Sequence, residues 1–365
     1  LWRNRAQLRD AGIFYARNLD MLALAVAAKT MSGSKAKIVY ECLDVHRLMT
    51  RRDAVGAIMR AAEGFLLART SLLVVSAPAF LREYFERWHA GRYKPLIVEN
   101  RLPAGRDYGP RGQRHRTPHD VLTIGWFGNL RCKRSLALLR DLALRFPDRV
   151  RIVMRGYPAL EEIPDFEAQT SGLANLVYKG RYKWPDDLAA IYHEVDVVWA
   201  GDFHDPSANS RWLLPNRIYE GGYYATPPIA PEAAETGHWI AARGFGFTLH
   251  EPIEETLPDL ISDLDDAAIE YRRAALLEAP HAKVLGTDQD DGAVDLTDHL
   301  AGALGVVGQR RQWVLHRAQR RVTAAVQFDD HVGPVGRTAP KSVYQDNCWL
   351  FGHVGDTIWT MRQVQ

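Results

Sequence analysis

Short apolar runs alternate with stretches whose apolar residues recur at helical spacing along the first part of the chain. The apolar runs predict buried strands at residues 13–15, 37–41, 72–76 and 96–98. The helical spacing predicts helices over 19–29, 54–68 and 78–89. On residues 54–68, the apolar positions expected to face the core are Val55, Ile58, Met59, Ala62 and Leu66. Fully apolar strands are typical of a parallel sheet covered on both faces, so residues 1–105 are predicted to form a Rossmann-like unit.

A second series of the same kind follows. Strands are predicted at 122–127, 150–155, 175–178, 197–199, around 229 and at 244–249, with turns at Gly128-Asn129 and Gly156. Helices are predicted at 135–144, 185–195 and 254–266. The pattern indicates a second Rossmann-like domain over residues 121–305. Two such units predict a cleft between them, with ligands at the carboxyl ends of the strands.

Two segments fall outside this alternation. Residues 106–120 are rich in Arg, Gly and Pro without periodicity, which predicts a linker whose charge is either solvated or turned to an anionic partner. Beyond residue 305 the alternation stops. Residues 309–321 could form a basic amphipathic helix and 322–365 are loop-like, so 306–365 are an extension of unclear structure to which no function is assigned.

Composition narrows the class of protein. With 365 residues, 47% hydrophobic and 25% charged, the chain can build two ordinary domains. A net charge of +2 argues against a dedicated nucleic-acid binder. Three cysteines without a CxxC spacing indicate a reducing compartment, and no apolar run reaches the about 20 residues of a membrane span. We therefore expect a cytoplasmic protein. The chain opens on Leu1, so a truncated N-terminal domain lacking its first strand is also expected.

Common chemical signatures are absent from the sequence. There is no GxGxxG after a strand, no GxxxxGK[ST] and no HExxH. Asp288 and Asp290 spell a DxD, but they lie in a polar acidic loop with no apolar strand before it. No metal site is predicted.

Candidate chemistry gathers around a short predicted helix. Asn216 is a residue of N-cap type, so free backbone N–H groups and the positive end of a helix dipole should lie beside it. Glu220 follows about a turn later. A ligand with both phosphate and hydroxyl groups, such as a nucleotide sugar, suits this pair. The alternative is an ordinary helix with a surface glutamate.

Further candidates end the strands of the second domain. Gly128 and Asn129 precede Arg131 and Lys133. A glycine lets the backbone approach a phosphate, and a cation neutralises a leaving diphosphate, although such a basic turn is more often ordinary surface.

Arg155 ends the next strand, and Tyr182 follows the one after it. The Tyr182 ring could lie against a nucleobase or pack between the domains.

Three segments carry a family resemblance: GWFGNLRCKRSLALL, YKGRYKWPDDLAAIYHEVDVVWAGD and LPNRIYEGGYYATPPIA. In this order they resemble the C-terminal domain of family 4-type GT-B glycosyltransferases, in particular those of bacterial succinoglycan and exopolysaccharide biosynthesis. The segments IFYARNLDMLALA, VYECLDVHRLM, LLVVSAPAFLREYF and VENRL are similar to that family's acceptor domain. The resemblance covers roughly residues 11–300. It implies an α/β GT-B fold, with two Rossmann-like domains facing across a cleft.

The resemblance also implies roles for residues. Gly128, Asn129 and Lys133 would hold the diphosphate, with Arg131 as an alternative. Glu220 would hold the ribose hydroxyls, and Asn216 would lie near the phosphates.

One position departs from the family pattern. The family usually has a glutamate that contacts the donor sugar eight positions before Glu220, where this chain has Trp212. The donor-sugar contact and the retaining outcome are therefore open.

On the acceptor side, Asp44 and His46 end a predicted strand. Either could orient or deprotonate an acceptor hydroxyl. The alternative is a helix-capping Asp44 and a polar loop His46.

The implied function is a metal-independent, hexosyltransferase-type glycosyltransferase without a cofactor. It would move a sugar from a nucleotide-diphosphate donor, with UDP expected, to a saccharide acceptor that is lipid-linked by resemblance. Peripheral contact with the inner face of the cytoplasmic membrane is one interpretation, with residues 78–89 and the basic linker as candidate surfaces. The alternative, which is the default, is that both are ordinary solvated faces. The alternatives are a nucleotide-sugar modifying enzyme of epimerase type and a non-catalytic nucleotide-binding protein.

Overall fold

A computed structural model of the chain describes residues 5–102, 107–112, 121–206 and 208–279, together with the backbone of 349–354 and 357–362. The described residues divide into two compact units. Unit 1 contains those up to Ser76, Leu81–Val98 and the two C-terminal strands. Unit 2 contains Ala77–Phe80 and the described residues from Glu99 onward to 279.

Unit 1 is built on a parallel sheet of four strands. Its strands are β1 (Ile13–Arg17), β2 (Lys37–Cys42), β3 (Leu72–Val75) and β4 (Pro95–Ile97), in the order β1-β2-β3-β4. Its helices are α1 (Arg5–Arg9), α2 (Asn18–Ser32), α3 (Arg47–Thr50), α4 (Ala54–Leu67) and α5 (Glu86–His89). A π-helix at Phe80–Phe85 also lies in unit 1, apart from its first residue. The neighbouring residues Ile38 and Val39 of β2 are both buried. Since successive side chains of a strand point to opposite faces, both faces of the sheet are covered, as predicted.

Helix α4 is turned the opposite way from the sequence prediction. Val55 and Ile58, predicted to face the core, are 46% and 68% exposed. The buried face carries Arg60, Glu63 and Leu67 instead. The apolar periodicity correctly predicted a helix, but the face that it indicated as buried is exposed. Glu63 goes inward because it meets buried hydrogen-bonding groups on Tyr40, Tyr84 and His89.

Unit 2 is built on a parallel sheet of six strands. The strands are β5 (Leu122–Leu130), β6 (Val150–Pro158), β7 (Leu176–Tyr178), β8 (Val197–Trp199), β9 (Pro228–Pro231) and β10 (Phe247–Leu249). The helices are α6 (Lys133–Arg145), α7 (Phe166–Thr170), α8 (Leu188–His193), α9 (Asn209–Trp212), α10 (Asn216–Tyr223), α11 (Glu235–Arg243), α12 (Ile253–Asp263) and α13 (Asp266–Glu278). The sheet order is β10-β9-β8-β5-β6-β7, which is the Rossmann order.

The turn predicted at Gly128-Asn129 is wrong, because β5 continues to Leu130. Gly128 pairs with Gly156 of β6, so β6 also runs past the turn predicted there. Both glycines have positive φ, +105° and +130°, and a Cβ on Gly156 would collide with the carbonyl oxygen of Gly128. The glycine pair therefore extends two strands rather than ending them. The chain turns only at Arg131-Cys132, before α6.

The segments outside the alternation are described only in part. Within the predicted linker, Tyr108 is buried, and Arg111 donates hydrogen bonds to the carbonyl oxygens of Tyr223 and Leu276. The loop prediction for 322–365 is wrong where β11 (Trp349–Val354) pairs antiparallel with β12 (Thr357–Arg362). The predicted helix at 309–321 and the DxD lie outside the described residues. Within the described part of the chain, no helix has the length and apolar character needed to cross a bilayer.

Candidate functional site

The strand order of unit 2 reverses between β5 and β8. In an open α/β sheet, a ligand binds in the crevice at the carboxyl ends of the strands where the order reverses. In this sheet those ends are Gly128–Leu130 of β5 and the residues that follow Trp199 of β8. Arg217 of α10 contacts the β5 end through its side chain, so α10 is the helix that borders this crevice.

Glu220 of α10 is buried, with only 3% of its surface exposed. Its Oε1 accepts a hydrogen bond from Nε1 of Trp184 at 3.0 Å, and its Oε2 accepts one from the Tyr192 hydroxyl at 2.8 Å. Burial raises the pKa of Glu220, against the opposing effect of these two hydrogen bonds and the nearby Arg217 charge. The alternative of a surface glutamate is therefore wrong.

Tyr192 is held rigidly on the inner face of α8. Its ring stacks on Tyr224 with centroids 5.6 Å apart and meets Phe127 of β5 edge-on at 5.1 Å. Side chains at Leu188, Ile191 and Tyr192 are all buried, which is the helical spacing of a core-facing stripe. The hydroxyl that reaches Glu220 is thus fixed by the core of unit 2.

Arg217 is a residue that sequence reasoning missed. Its Nη1 donates to the carbonyl oxygen of Phe127 at 2.8 Å. Its Nε is buried and has no hydrogen-bond partner among the described residues. A Cβ on Gly128 would lie 3.7 Å from Nη1, an ordinary van der Waals contact, so the positive φ of +105° is what favours glycine at this position. The signal in the sequence was its place in PNRIYE, one residue after Asn216.

The prediction of Asn216 as N-cap is wrong. Pro215 occupies the N-cap position with extended backbone and supplies no side-chain hydrogen bond, and Asn216 is the first helical residue. Asn216 is exposed. Proline's fixed φ suits the extended N-cap geometry, and the asparagine side chain is left outside the cap.

The predicted cations fall into different surroundings. Arg131 lies 3.3 Å from the carboxylate of Asp202, just past the end of β8, while Lys133 is exposed at the start of α6. Burial raises the pKa of Asp202, but the His204 N–H and the charges of Arg131 and Arg217 outweigh it and hold that pKa below its usual range. Asp202 is a second site residue that the sequence did not reveal, since nothing local marks it.

The three remaining candidates of unit 2, Tyr182, Arg155 and Asn129, have different surroundings. Tyr182 packs against the Tyr192 cluster, and burial raises its pKa with a further contribution from the Glu220 charge. It therefore lies next to the predicted ribose contact and is half-buried within its own unit. Arg155 lies 3.6 Å from the Glu194 carboxylate, which also pairs with Lys179. Asn129 is exposed on β5 and aligned with Tyr157 of β6.

The predicted acceptor-side residues lie in unit 1. Asp44 and His46 follow β2, as predicted, and both are exposed. His46 is the N-cap of α3, where its Nδ1 accepts from the Leu48 N–H at 3.2 Å. The capping role that the alternative gave to Asp44 belongs to His46.

Trp212 ends α9 and meets Phe80 edge-on at 6.1 Å. Across the described ranges, no group of three His, Cys, Asp or Glu side chains is arranged to hold a metal ion.

Comparison with known proteins places the chain. No protein-family model matches it. It is 40% identical over 270 residues to the succinoglycan biosynthesis protein ExoL of Rhizobium meliloti (strain 1021). The matched segment covers 72% of this chain and 66% of ExoL, just under two thirds of that protein's length.

Solved structures share the fold at low identity. Anabaena Alr3699/HepE in complex with UDP-glucose superposes with a TM-score of 0.60 at 16% identity, over 84% of this chain and 82% of that one. Sucrose-phosphate synthase from Thermosynechococcus elongatus superposes with a TM-score of 0.59 at 11% identity, over 81% of this chain and 74% of that one. The predicted fold class and the predicted resemblance are confirmed. The chain therefore has the GT-B fold of these structures, and it is similar to the succinoglycan biosynthesis protein ExoL over 270 residues.

Proposed function

We propose that unit 2 binds a UDP-sugar donor, and that the protein transfers the sugar to a saccharide acceptor in exopolysaccharide assembly. One observation carries the donor site: Glu220 is buried beside the point where the strand order reverses, with one hydrogen-bond donor on each carboxylate oxygen. A carboxylate in this position can accept hydrogen bonds from ribose hydroxyls. The UDP-glucose bound by HepE supports a UDP-linked donor.

The proposed chemistry is electrostatic. Arg217, Lys133 and Arg131, with the N-terminal N–H groups of α10, take up negative charge as the diphosphate departs. The hydrogen bond from Arg217 to the Phe127 carbonyl oxygen holds this guanidinium against the strand end where that charge develops. Asn129, Asn216 and Tyr182 would border the donor, whereas the ion pair of Arg155 with Glu194 favours a structural role for that arginine.

The acceptor chemistry belongs to unit 1. We assign to Asp44 or His46 the orientation or deprotonation of the acceptor hydroxyl. Both are exposed at the carboxyl end of β2, which leaves them accessible to a substrate. Because Nδ1 of His46 accepts from the Leu48 N–H, the neutral ring carries its proton on Nε2. In this tautomer His46 can orient an acceptor hydroxyl by donating from Nε2–H, and the Asp44 carboxylate is the group of the two that can accept the hydroxyl proton.

A transfer assay tests this function. Purified protein given a UDP-sugar and an oligosaccharide acceptor is expected to release UDP and lengthen the acceptor, and the rate with EDTA should equal the rate without it. Release of an epimerised UDP-sugar without acceptor elongation would instead support the epimerase alternative. Binding of UDP with no turnover would support the non-catalytic one. Loss of transfer under EDTA would contradict the metal-independent mechanism.

We further propose that unit 1 contacts an anionic membrane through α4. Val55, Ile58 and Phe65 form an exposed apolar stripe at helical spacing on this helix. Arg52 and Arg69 are exposed at its two ends, and the Arg69 guanidinium lies over the Phe65 ring. Such a stripe with flanking cations suits the boundary of an anionic bilayer.

The surface predicted from the sequence suits a membrane less well. The exposed side chains of residues 82–87 include both acids and bases, and Arg82 pairs with Glu83. Mixed charge of this kind is typical of a solvated face.

Sedimentation with lipid vesicles tests the α4 surface. We expect the protein to bind phosphatidylglycerol vesicles, and Ile58→Glu combined with Phe65→Glu to weaken binding at least about tenfold, because each apolar side chain contributes roughly 1.5–3 kcal/mol when buried. Leu277→Glu, at an exposed apolar position of unit 2, is the matched control and should bind like the unmodified protein. Equal vesicle binding by all three proteins would exclude this surface.

A further inference from the structure

The two protein donors to Glu220 contact different carboxylate oxygens. Trp184 donates to Oε1 and Tyr192 donates to Oε2. An ionised carboxylate has about four acceptor positions, roughly two on each oxygen. The described residues therefore occupy one position on each oxygen and leave one on each. This is the arrangement that two neighbouring hydroxyls of one ligand require.

We propose that Trp184 and Tyr192 are positioning residues that set Glu220 to accept both hydroxyls of a ribose cis-diol. The site would thereby select ribonucleotide donors over deoxyribonucleotide donors. This inference rests on the proposed function and goes further, since it names how the donor acid is aimed and what that aim discriminates.

The surroundings of the two donors support a fixed aim. Tyr192 is fully buried between Tyr224 and Phe127, so its hydroxyl has little freedom to turn away from Glu220. Trp184 is 44% exposed and reaches the other oxygen from the segment before α8. One donor thus comes from the core and the other from the surface. Together they hold the carboxylate from two directions and prevent rotation about its terminal torsion.

The charge of Glu220 depends on the same contacts. Five groups of the described residues face it: Trp184 and Tyr182 from the segment before α8, Tyr192 from α8, Arg217 from its own helix and Tyr224 at the C-cap of that helix. Burial raises the pKa of Glu220, and the hydrogen bonds from Tyr192 and Trp184 oppose that rise. A protonated carboxyl group would donate on one oxygen and accept fewer hydroxyls. Removal of either donor should therefore raise the pKa of Glu220 further, and diol binding should be lost at a higher pH as the pH falls.

Calorimetry with UDP, 2′-deoxy-UDP and 3′-deoxy-UDP tests the inference on the full chain. The unmodified protein should bind UDP about tenfold or more tightly than either deoxy compound, since each deoxy compound loses one hydrogen bond to a charged group. Tyr192→Phe and Trp184→Phe should each weaken UDP binding about tenfold and leave the affinity for the deoxy compounds nearly unchanged. The preference for UDP should thus fall toward one, and the loss of UDP binding on acidification should begin at a higher pH than in the unmodified protein.

The control is Tyr223→Phe, which removes a hydroxyl bonded to the Gly109 carbonyl oxygen and should leave all three affinities unchanged. A variant that weakens UDP and the deoxy compounds equally would show a merely structural role and overturn the inference. An unchanged preference for UDP would overturn it as well. Trp184→Phe, at a part-exposed position, keeps the test available where Tyr192→Phe fails to fold. Failure of the unmodified protein to bind UDP would instead contradict the proposed function.

Discussion

Replacing Glu220 by glutamine is expected to lower the affinity for UDP about 100-fold, which corresponds to roughly 2.7 kcal/mol. Glutamine keeps the size of the side chain, but it removes the negative charge and puts an amide N–H₂ where an acceptor stood. One of the two protein donors, Trp184 or Tyr192, then faces another donor. The ribose hydroxyls lose a charge-assisted pair of acceptors at the same time.

Isothermal titration with UDP measures this loss, and a thermal melt shows whether the variant remains folded. Glu254→Gln is the matched control, because it makes the same change at an exposed residue. Glu254 lies on α12 and pairs with Arg134 of α6. It should bind UDP like the unmodified protein. Unchanged UDP affinity in a folded Glu220→Gln protein would remove Glu220 from the donor site.

Much of the fold could be predicted from the apolar pattern, because strand and helix periods are local properties of the chain. The ten parallel strands of the two units fall at or close to the predicted apolar runs. The errors arose where a long-range contact decides the outcome. Gly128 looked like a turn, yet it continues a strand because Gly156 faces it on β6. The inward face of α4 was missed because the donors that satisfy Glu63 lie on other elements.

The candidate site also combines residues that a local sequence motif marks with residues that only the folded chain brings together. Glu220 could be predicted as a candidate because its motif is local, and its neighbours in PNRIYE include the overlooked Arg217. Trp184, Tyr192 and Asp202 could not, since they lie 36, 28 and 18 residues before Glu220 along the chain. Only the parallel sheet order brings the ends of β5 and β8 beside α10. A sequence motif can name a ligand-binding acid, but the groups that set its orientation and charge come from the folded chain.

Trp212 occupies the position where the family pattern has a glutamate. The family acid expected there is absent, and the tryptophan instead packs edge-on against Phe80. Asp202 is a carboxylate near the same strand ends, held ionised beside Arg131 and Arg217. The structure therefore keeps an acid at the crevice, although not at the family position. This arrangement places Asp202 next to the cations that we assign to the diphosphate.

The second large effect is expected in unit 1, where Glu63 of α4 lies in a buried polar cluster. Its carboxylate accepts from the hydroxyls of Tyr40 and Tyr84, and it lies 2.9 Å from Nε2 of His89. Both Glu63 and His89 are 2% exposed. These contacts join β2, α4, the π-helix at Phe80–Phe85 and α5, so four elements depend on one acid.

Replacing Glu63 by leucine is expected to destabilise unit 1 by about 3–5 kcal/mol, because removal of one partner leaves the others buried without an acceptor. Tyr40, Tyr84 and His89 would each lose a hydrogen bond that water cannot replace. Urea denaturation of the full chain should show the transition of unit 1 at a lower urea concentration.

Glu83→Leu, at an exposed residue paired with Arg82, is the control and should change stability by less than about 1 kcal/mol. UDP affinity should stay unchanged in the folded Glu63→Leu protein, since Glu220 and its two donors lie in unit 2. A shift no larger than that of the control would mean that the cluster contributes little to the stability of unit 1.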